Sequence, residues 1–473
     1  MYTIPQKDTY TIEDYKSAVA FNDRLRSRYD KMDRYYLGNH PINSRQKSAI
    51  LANNQVVVNH AKYITDTYTG YLFGSEIDYR TALEGDPLEV LKRAYRRQSI
   101  DTLDSVLGRD CSVFGRAYEY IYADKEGRPT SANIDPRNCV VAYDDTVEHN
   151  PLFAVIYSDS RRITNSDETR DDSALFTGGK VLLADRVIEY GEGWTSPEEE
   201  AHYFGEIPAV EYRNNQDIKG DFEAVLELID AYNILQSDRI NDKEQLVAAI
   251  LCLYGFELSE KDQKLVGVNR LMQISDPASR AEYLVKSMME ADIDILRKSI
   301  EDNIHKISMT PNLTDEHFVG NSSGVAIKYK LLAFEQATKT KERHFEKGLM
   351  ERARRYIQFL NVKDGQPLVE THDIDAVFTR SLPQNDFENA QMANLLDGLV
   401  SKETLVSQFG FVDNAQDELE RVKQERESVR LPEFGTAQDT QNEVDELITT
   451  KGVEQTDGLV NKIRNILSGQ SQE

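Results

Sequence analysis

VKSMMEADIDILRKSIEDNIHKISMTP, residues 285–311, decides the architecture. Val285, Met289, Ile293, Leu296, Ile300, Ile304 and Ile307 recur at spacings of four and three, which places them on one helical face. Thr310-Pro311 ends the pattern, because proline biases the residue before it away from helix. A loop, 312–323, follows. A second long helical pattern then runs from near Ser323 to about Leu360, on the order of 55 Å at ~1.5 Å per residue. Upstream, Phe222, Val225, Leu226, Ile229 and Tyr232 open another amphipathic helix that reaches Leu251. Two of these helices have polar middles, Gln236–Gln245 and Glu335–His344. Helices polar through their centres need partners, and the symmetry of a ring supplies them.

Outward from this core the pattern predicts an α+β, mainly α chain. A helix is expected over Tyr10–Leu37, stopped by Gly38 with Pro41 close behind. Val56-Val57-Val58 reads as a strand, Asn59–Leu72 as a helix ending at Gly74, and Pro87–Phe114 as one helix with an imperfect stripe. From Gly115 to Tyr212 short β-branched and aromatic runs alternate with turn residues, giving a β-rich layer. Ser158–Gly179 is polar and reads as a hairpin or loop. Leu253–Ala278 is an insert punctuated by Gly255, Gly267 and Pro277, and a short β excursion falls near Val369–Phe378. Beyond Pro383 the tail is helical and acidic, with Asp413 and Gln416 spaced as a capping box.

Composition narrows the function. The 473 residues carry 81 Asp plus Glu against 56 Lys plus Arg, a formal charge of −25. Proteins that grip phosphates offer a basic surface, so tight DNA binding is disfavoured. Cys111, Cys139 and Cys252 form no C-x-x-C pair, so neither a zinc site nor a disulfide framework is expected, only buried thiols. No run approaches the ~20 apolar residues that span a bilayer, and Met1–Pro5 does not open a secretory signal, which points to assembly in a cytoplasm. G-x-x-x-x-G-K-[ST], H-E-x-x-H and G-x-S-x-G are absent. The eight histidines are scattered, and His40 and His60 read as local hydrogen-bonding residues. Asp292/Asp294 and Asp373/Asp375 are the nearest approach to a metal site; two carboxylates without a third ligand are weak, and the first pair reads as solvated helix charge. Neither catalytic residues, nor a cofactor, nor a metal is expected.

Tyr35-Tyr36-Leu37-Gly38-Asn39-His40-Pro41-Ile42, then Asn53-Asn54, Tyr63-Ile64-Thr65-Asp66 and Gly70-Tyr71-Leu72-Phe73-Gly74, resemble the siphophage portal family of phages and prophages of Gram-positive bacteria. Phe114-Gly115-Arg116-Ala117-Tyr118, Asp135-Pro136-Arg137, Ala231-Tyr232-Asn233 with Ser237-Asp238, Asn321-Ser322-Ser323-Gly324, and Ser401-Lys402-Glu403-Thr404 continue the likeness over roughly residues 25–430.

The resemblance implies a ring, usually of twelve copies, at one capsid vertex, through which double-stranded DNA passes without sequence recognition. It implies a wing over 1–220, a first stem helix over 221–252, a clip over 253–279 and a second stem helix over 280–309. A tunnel loop over 310–323, a long wing helix with a β excursion over 324–383, and a crown and tail over 384–473 complete it. Expected partners are the terminase large subunit and a head-completion or adaptor protein, docked on the clip through Tyr254, Glu257, Lys261, Lys264, Asn269 and Arg270, together with major capsid and scaffolding proteins and no membrane. Asn312, Asn321, Ser322, Ser323, Lys328 and Lys330 would line the tunnel loop. The two lysines are candidates for weak phosphate contact, or are solvated or paired with a neighbouring subunit; the loop serines offer neutral hydrogen bonds or cap the helix that follows. Twelve chains would carry roughly −300 formal charges, and at a Debye length of ~8 Å such walls repel a duplex and let it slide. The alternative is an oligomeric capsid-associated scaffold or adaptor without a channel.

Overall fold

The computed structural model describes residues 1–47, 52–83, 87–159, 176–246, 250–254, 280–284, 290–313, 329–365, 369–380, 391, 393–396, 398–406, 409, 412 and 415–429. The chain divides into two compact units, Met1–Leu382 and Pro383–Glu473.

The first unit opens with β1 (Tyr2–Thr3) and α1 (Ile12–Tyr36), then α2 (His60–Phe73) and β2 (Asp78–Thr81). Asn59 caps α2, its side-chain oxygen accepting the Lys62 N–H at 2.9 Å. The single helix expected over Pro87–Phe114 is two, α3 (Glu89–Gln98) and α4 (Ile100–Phe114), broken at Ser99, which takes a left-handed φ of 51°. Side-chain geometry gives the reason. In a continuous helix Leu91 and Tyr95 would face away from Ile100, Asp104 and Leu107; the break lets all five be buried.

Eight strands follow: β3 (Arg116–Ala123), β4 (Pro129–Ile134), β5 (Cys139–Tyr143), β6 (Pro151–Asp159), β7 (Phe176–Leu182), β8 (Arg186–Gly191), β9 (Thr195–Ala201) and β10 (Ala209–Arg213). They form a six-stranded sheet, β1-β5-β6-β7-β8-β9, and a three-stranded sheet, β10-β3-β4. The expected β-rich layer is therefore two sheets, packed through Tyr118, Val141, Leu182 and Ile207. Gly115, at the α4–β3 corner, has φ +86°, and a Cβ there would lie 2.3 Å from the Ile218 carbonyl oxygen.

Next come α5 (Leu226–Leu246), β11 (Ile250–Tyr254), β12 (Arg280–Leu284), α6 (Glu290–Ile307), α7 (Leu332–Asp364) and β13 (Ile374–Val377). Here two helix boundaries differ from expectation. The helix expected to reach Leu251 ends at Leu246, and Ile250–Tyr254 pairs antiparallel with Arg280–Leu284. A five-residue run with no charged side chain suits a strand better than an amphipathic helix. The helix expected from 280 starts at Glu290, and Val285 and Met289 lie outside the described residues. The helix expected from Ser323 is described as α7, 33 residues, about 50 Å long. The β excursion is real: β13 pairs with β2.

Two buried arginines mark α7. Arg352, fully buried, stands 2.6 Å from Asp104 and donates from Nε to Glu119 at 2.9 Å. Tyr212 donates to Glu119 at 2.6 Å. Arg355 donates to the Ile207 carbonyl at 2.6 Å. The described part of the second unit includes α8 (Lys402–Val406) and α9 (Ala415–Val429); Asp413 and most of the expected helical tail lie outside the described residues.

Candidate functional site

α5 and α6 run antiparallel, with Arg239 of one 3.9 Å from Asp294 of the other. The polar middle of α5 has a partner within its own chain. Asn233, Ser237 and Asn241 are buried at i, i+4 and i+8 and accept the backbone N–H groups of Val58 (2.8 Å), Val56 (2.9 Å) and Asn54 (2.7 Å). Two extended residues advance ~6.6 Å and four helical residues ~6 Å, so every second amide meets every fourth side chain. Val56–Val58 is therefore not a strand; its amides bond to a helix's side chains. Arg45 and Lys47 each reach Asp238 at 2.9 Å and extend the seam.

The polar middle of α7 is likewise satisfied internally. Lys341 pairs with Asp221 and lies 4.4 Å from the Tyr68 ring centre. Glu335 accepts from the Tyr71 hydroxyl at 2.6 Å, and Arg380 bonds both Glu335 and Glu342. The expectation that these polar centres await a symmetry mate is thus corrected. Among the charged residues that α5 and α6 leave in water, such as Asp292, Lys298, Asp302 and Lys306, several large apolar side chains are also uncovered. Ile300 and Ile304 enter the core, whereas Ile295 is 67% and Leu296 51% exposed, with Ile234, Ile240 and Ile307 also exposed.

The turn after α6 is pinned to α2. Tyr68 donates to the Ser308 carbonyl (3.0 Å), Tyr63 donates to the Pro311 carbonyl (2.8 Å), and the Tyr63 hydroxyl accepts the Leu313 N–H (3.1 Å). Met309 takes φ 55° between them. Asn312 is half-buried, its amide 3.5 Å from Glu301. Lys330 is exposed just before α7. Asn321, Ser322, Ser323 and Lys328 lie outside the described residues. So do Glu257, Lys261, Lys264, Asn269 and Arg270 of the expected clip, while Tyr254 closes β11 opposite Arg280.

Three of the scattered histidines converge, which their spacing in the sequence does not signal. His60 lies edge-on to Tyr232 (4.8 Å) and His305 (5.9 Å), and His40 packs on Tyr35 (4.7 Å) beside Asn233. Burial, reinforced by His305 and His40, pushes the His60 imidazole down to about 4, and burial lowers His40 as well. His60 therefore stays neutral in the fold at a pH where the unfolded chain protonates it. Stability falls as pH drops from 6.5 toward 4. His60→Phe should flatten that slope, gaining about 2 kcal/mol on wild type between pH 7 and pH 5 in urea titrations. Parallel slopes in the two proteins would show that His60 titrates normally.

Among the described residues no group of three or more His, Cys, Asp or Glu is placed to hold a metal ion. Asp375 is exposed on β13 and Asp373 ends a short 3-10 turn. Asp294 pairs with Arg297 at 3.0 Å. Cys111 and Cys139 are buried free thiols, both pushed up by burial. Among the described residues no helix is long and apolar enough to cross a membrane.

The family described as "Phage portal protein, SPP1 Gp6-like" matches residues 17–430. The portal protein of Bacillus phage SPP1 is 23% identical over 423 residues, 83% of this chain and 82% of that protein. The portal protein of Clostridium phage phiCD119 is 23% identical over 222 residues, 46% of this chain and 48% of that protein. Portal proteins are structural proteins of the phage capsid, and with a match that spans most of its length this chain belongs to the SPP1 Gp6-like phage portal family.

Proposed function

We propose that the chain assembles as a ring of twelve at one capsid vertex, forming the channel for DNA packaging and ejection and the platform on which the terminase large subunit and a head-completion protein dock. Major capsid and scaffolding proteins would surround it, and assembly would take place in the host cytoplasm. The observation that carries this reading is the α5–α6 pair with its polar seam closed internally and its remaining apolar side chains in water. Ile295 and Leu296 on α6 and Ile234 and Ile240 on α5 are exposed, and large apolar side chains left in water on one helix pair suit contact with another chain. A neighbouring α5–α6 pair is the partner of matching chemistry.

In this assignment residues 1–220 form the wing, α5 and α6 the stem and 253–279 the clip. Residues 310–323 form the tunnel loop, α7 and the β2–β13 ladder return to the wing, and 384–473 form the crown and tail. Lys328 and Lys330 would touch phosphates weakly and transiently, and the acidic remainder would keep the duplex sliding.

Native mass spectrometry of the full chain tests the assembly. Wild type should give rings of about twelve, and Ile295→Asp/Leu296→Asp should give monomers with unchanged far-UV circular dichroism. Rings in the double variant would remove α6 from the interface. A monodisperse wild-type monomer would favour the scaffold or adaptor reading.

A further inference from the structure

Two patches of opposite sign lie in the first unit, and the chain does not bring them together. On α3, Arg93, Arg96 and Arg97 are all exposed. Among the described residues Glu89 is the carboxylate within their reach, 3.8 Å from Arg93 and 3.3 Å from Arg96. Arg93 and Arg97 line a hollow of about 180 Å³ with Arg128, Lys363 and Asp364. Arg128 is paired with Asp124 and Glu126, each at 2.8 Å, so the cationic character of the hollow, notable on a chain of −25, rests on the α3 arginines and Lys363.

β9 is the reverse. It is the edge strand of the six-stranded sheet and is exposed along its whole length. Glu198 stands directly opposite Glu189 on β8, and Glu200, two residues on, shares their face. Like charges directly opposite each other across strands are unfavourable. Lys180, 3.0 Å from Glu189, is the nearby counter-charge, while Glu199 on the other face reaches Arg186 at 3.2 Å. The field is felt locally: burial first, and then Glu200 and Glu189, push the Tyr120 hydroxyl up to about 12.

α7 stands between the patches. The segment after β9 meets α7 through Glu206 on Arg354 (2.9 Å) and the Ile207 carbonyl on Arg355 (2.6 Å). α3 meets α7 through Tyr95 on Tyr356 (5.1 Å) and through the hollow at Leu360 and Lys363. At 3.6 residues per turn these are different sides of the helix. Self-complementary patches on different faces of one chain make a head-to-tail contact, which closes into a ring when its rotation allows.

We propose that the arginine face of α3 docks the acidic edge strand β9 of a second copy of this chain; the inference rests on the ring reading and names one of its contacts. The test uses full-length protein and native mass spectrometry over a salt series. Arg93→Glu/Arg97→Glu should weaken assembly about tenfold at low salt, as for other complementary charge clusters. Adding Glu198→Arg/Glu200→Arg to the same chain should restore it. All four positions are exposed, and circular dichroism checks the fold of each variant. Weakened assembly without rescue would overturn the pairing, and wild-type rings indifferent to both reversals would leave β9 as a guarded edge. Rings that persist while the α3 variant loses affinity for a DNA duplex in fluorescence anisotropy would assign the face to DNA instead. A wild type that forms no ring removes the ring reading itself, which separates the two failures.

Discussion

Arg352→Leu should lower the unfolding free energy by about 3–5 kcal/mol at neutral pH, because removing one partner of a buried ion cluster leaves the other charges uncompensated. Asp104 and Glu119 would then face each other in a site closed by Tyr95 and Tyr212, whose ring centres lie 5.9 and 5.5 Å from the guanidinium. The loss should depend on pH, with a sign that can be worked out. Burial already raises the Asp104 carboxyl to about 6, against the pull of Arg352. Without the arginine it rises further. A carboxyl raised in the folded state favours the fold at low pH and loses that advantage as pH climbs through its folded value. The variant should therefore lie closest to wild type near pH 5 and furthest from it near pH 8. Urea unfolding at both values measures this, and a constant difference would mean that Asp104 stays charged throughout.

Asn233→Leu/Ser237→Ala, the second large effect, opens the seam between α5 and the 54–58 segment. Each substitution strands one backbone N–H, of Val58 or Val56, against a helix that no longer accepts from it. A stranded buried donor costs about 1–3 kcal/mol, and two neighbouring losses do not simply add. Global stability should fall by about 3 kcal/mol. The sharper readout is hydrogen exchange: the Val56 and Val58 amides should exchange about a hundredfold faster relative to the α2 amides. Protection that survives the double substitution would show that packing of the segment, not the side-chain ladder, holds it down.

The helices whose apolar spacing is clean were legible: α1 and α2 end within a residue or two of the expected positions, and Pro311 follows α6 closely. Strands β3, β5 and β6 were legible from their β-branched and aromatic runs. The α3–α4 break was not, because Ser99 carries no turn signature and the reversal of the buried face shows only in angular spacing. The two polar helix centres misled for a common reason. Ser237, Asn241, Lys341 and Glu335 look solvated in sequence, and their partners Val56, Asn54, Asp221 and Tyr71 are 120 to 264 residues away. Of the expected channel residues, Asn312 and Lys330 fall among the described ones, the first after α6 and the second before α7. The histidine cluster carried no local signal at all, since His40, His60 and His305 belong to three separate elements.

α7 has a mechanical meaning beyond its packing. Phe334 near its start belongs to one hydrophobic core, and Phe345, Tyr356 and Leu360 belong to or border another. An uninterrupted helix of this length resists bending over a few turns. It therefore behaves as a strut clamped at Lys341 by Asp221 and at Arg352 by Asp104 and Glu119. A push on its first turn, just past Lys330, is not absorbed near the point of application. It travels along the axis as displacement until an ion clamp slips. Along this direction the first unit is held by two buried charge clusters together with the two hydrophobic cores around them.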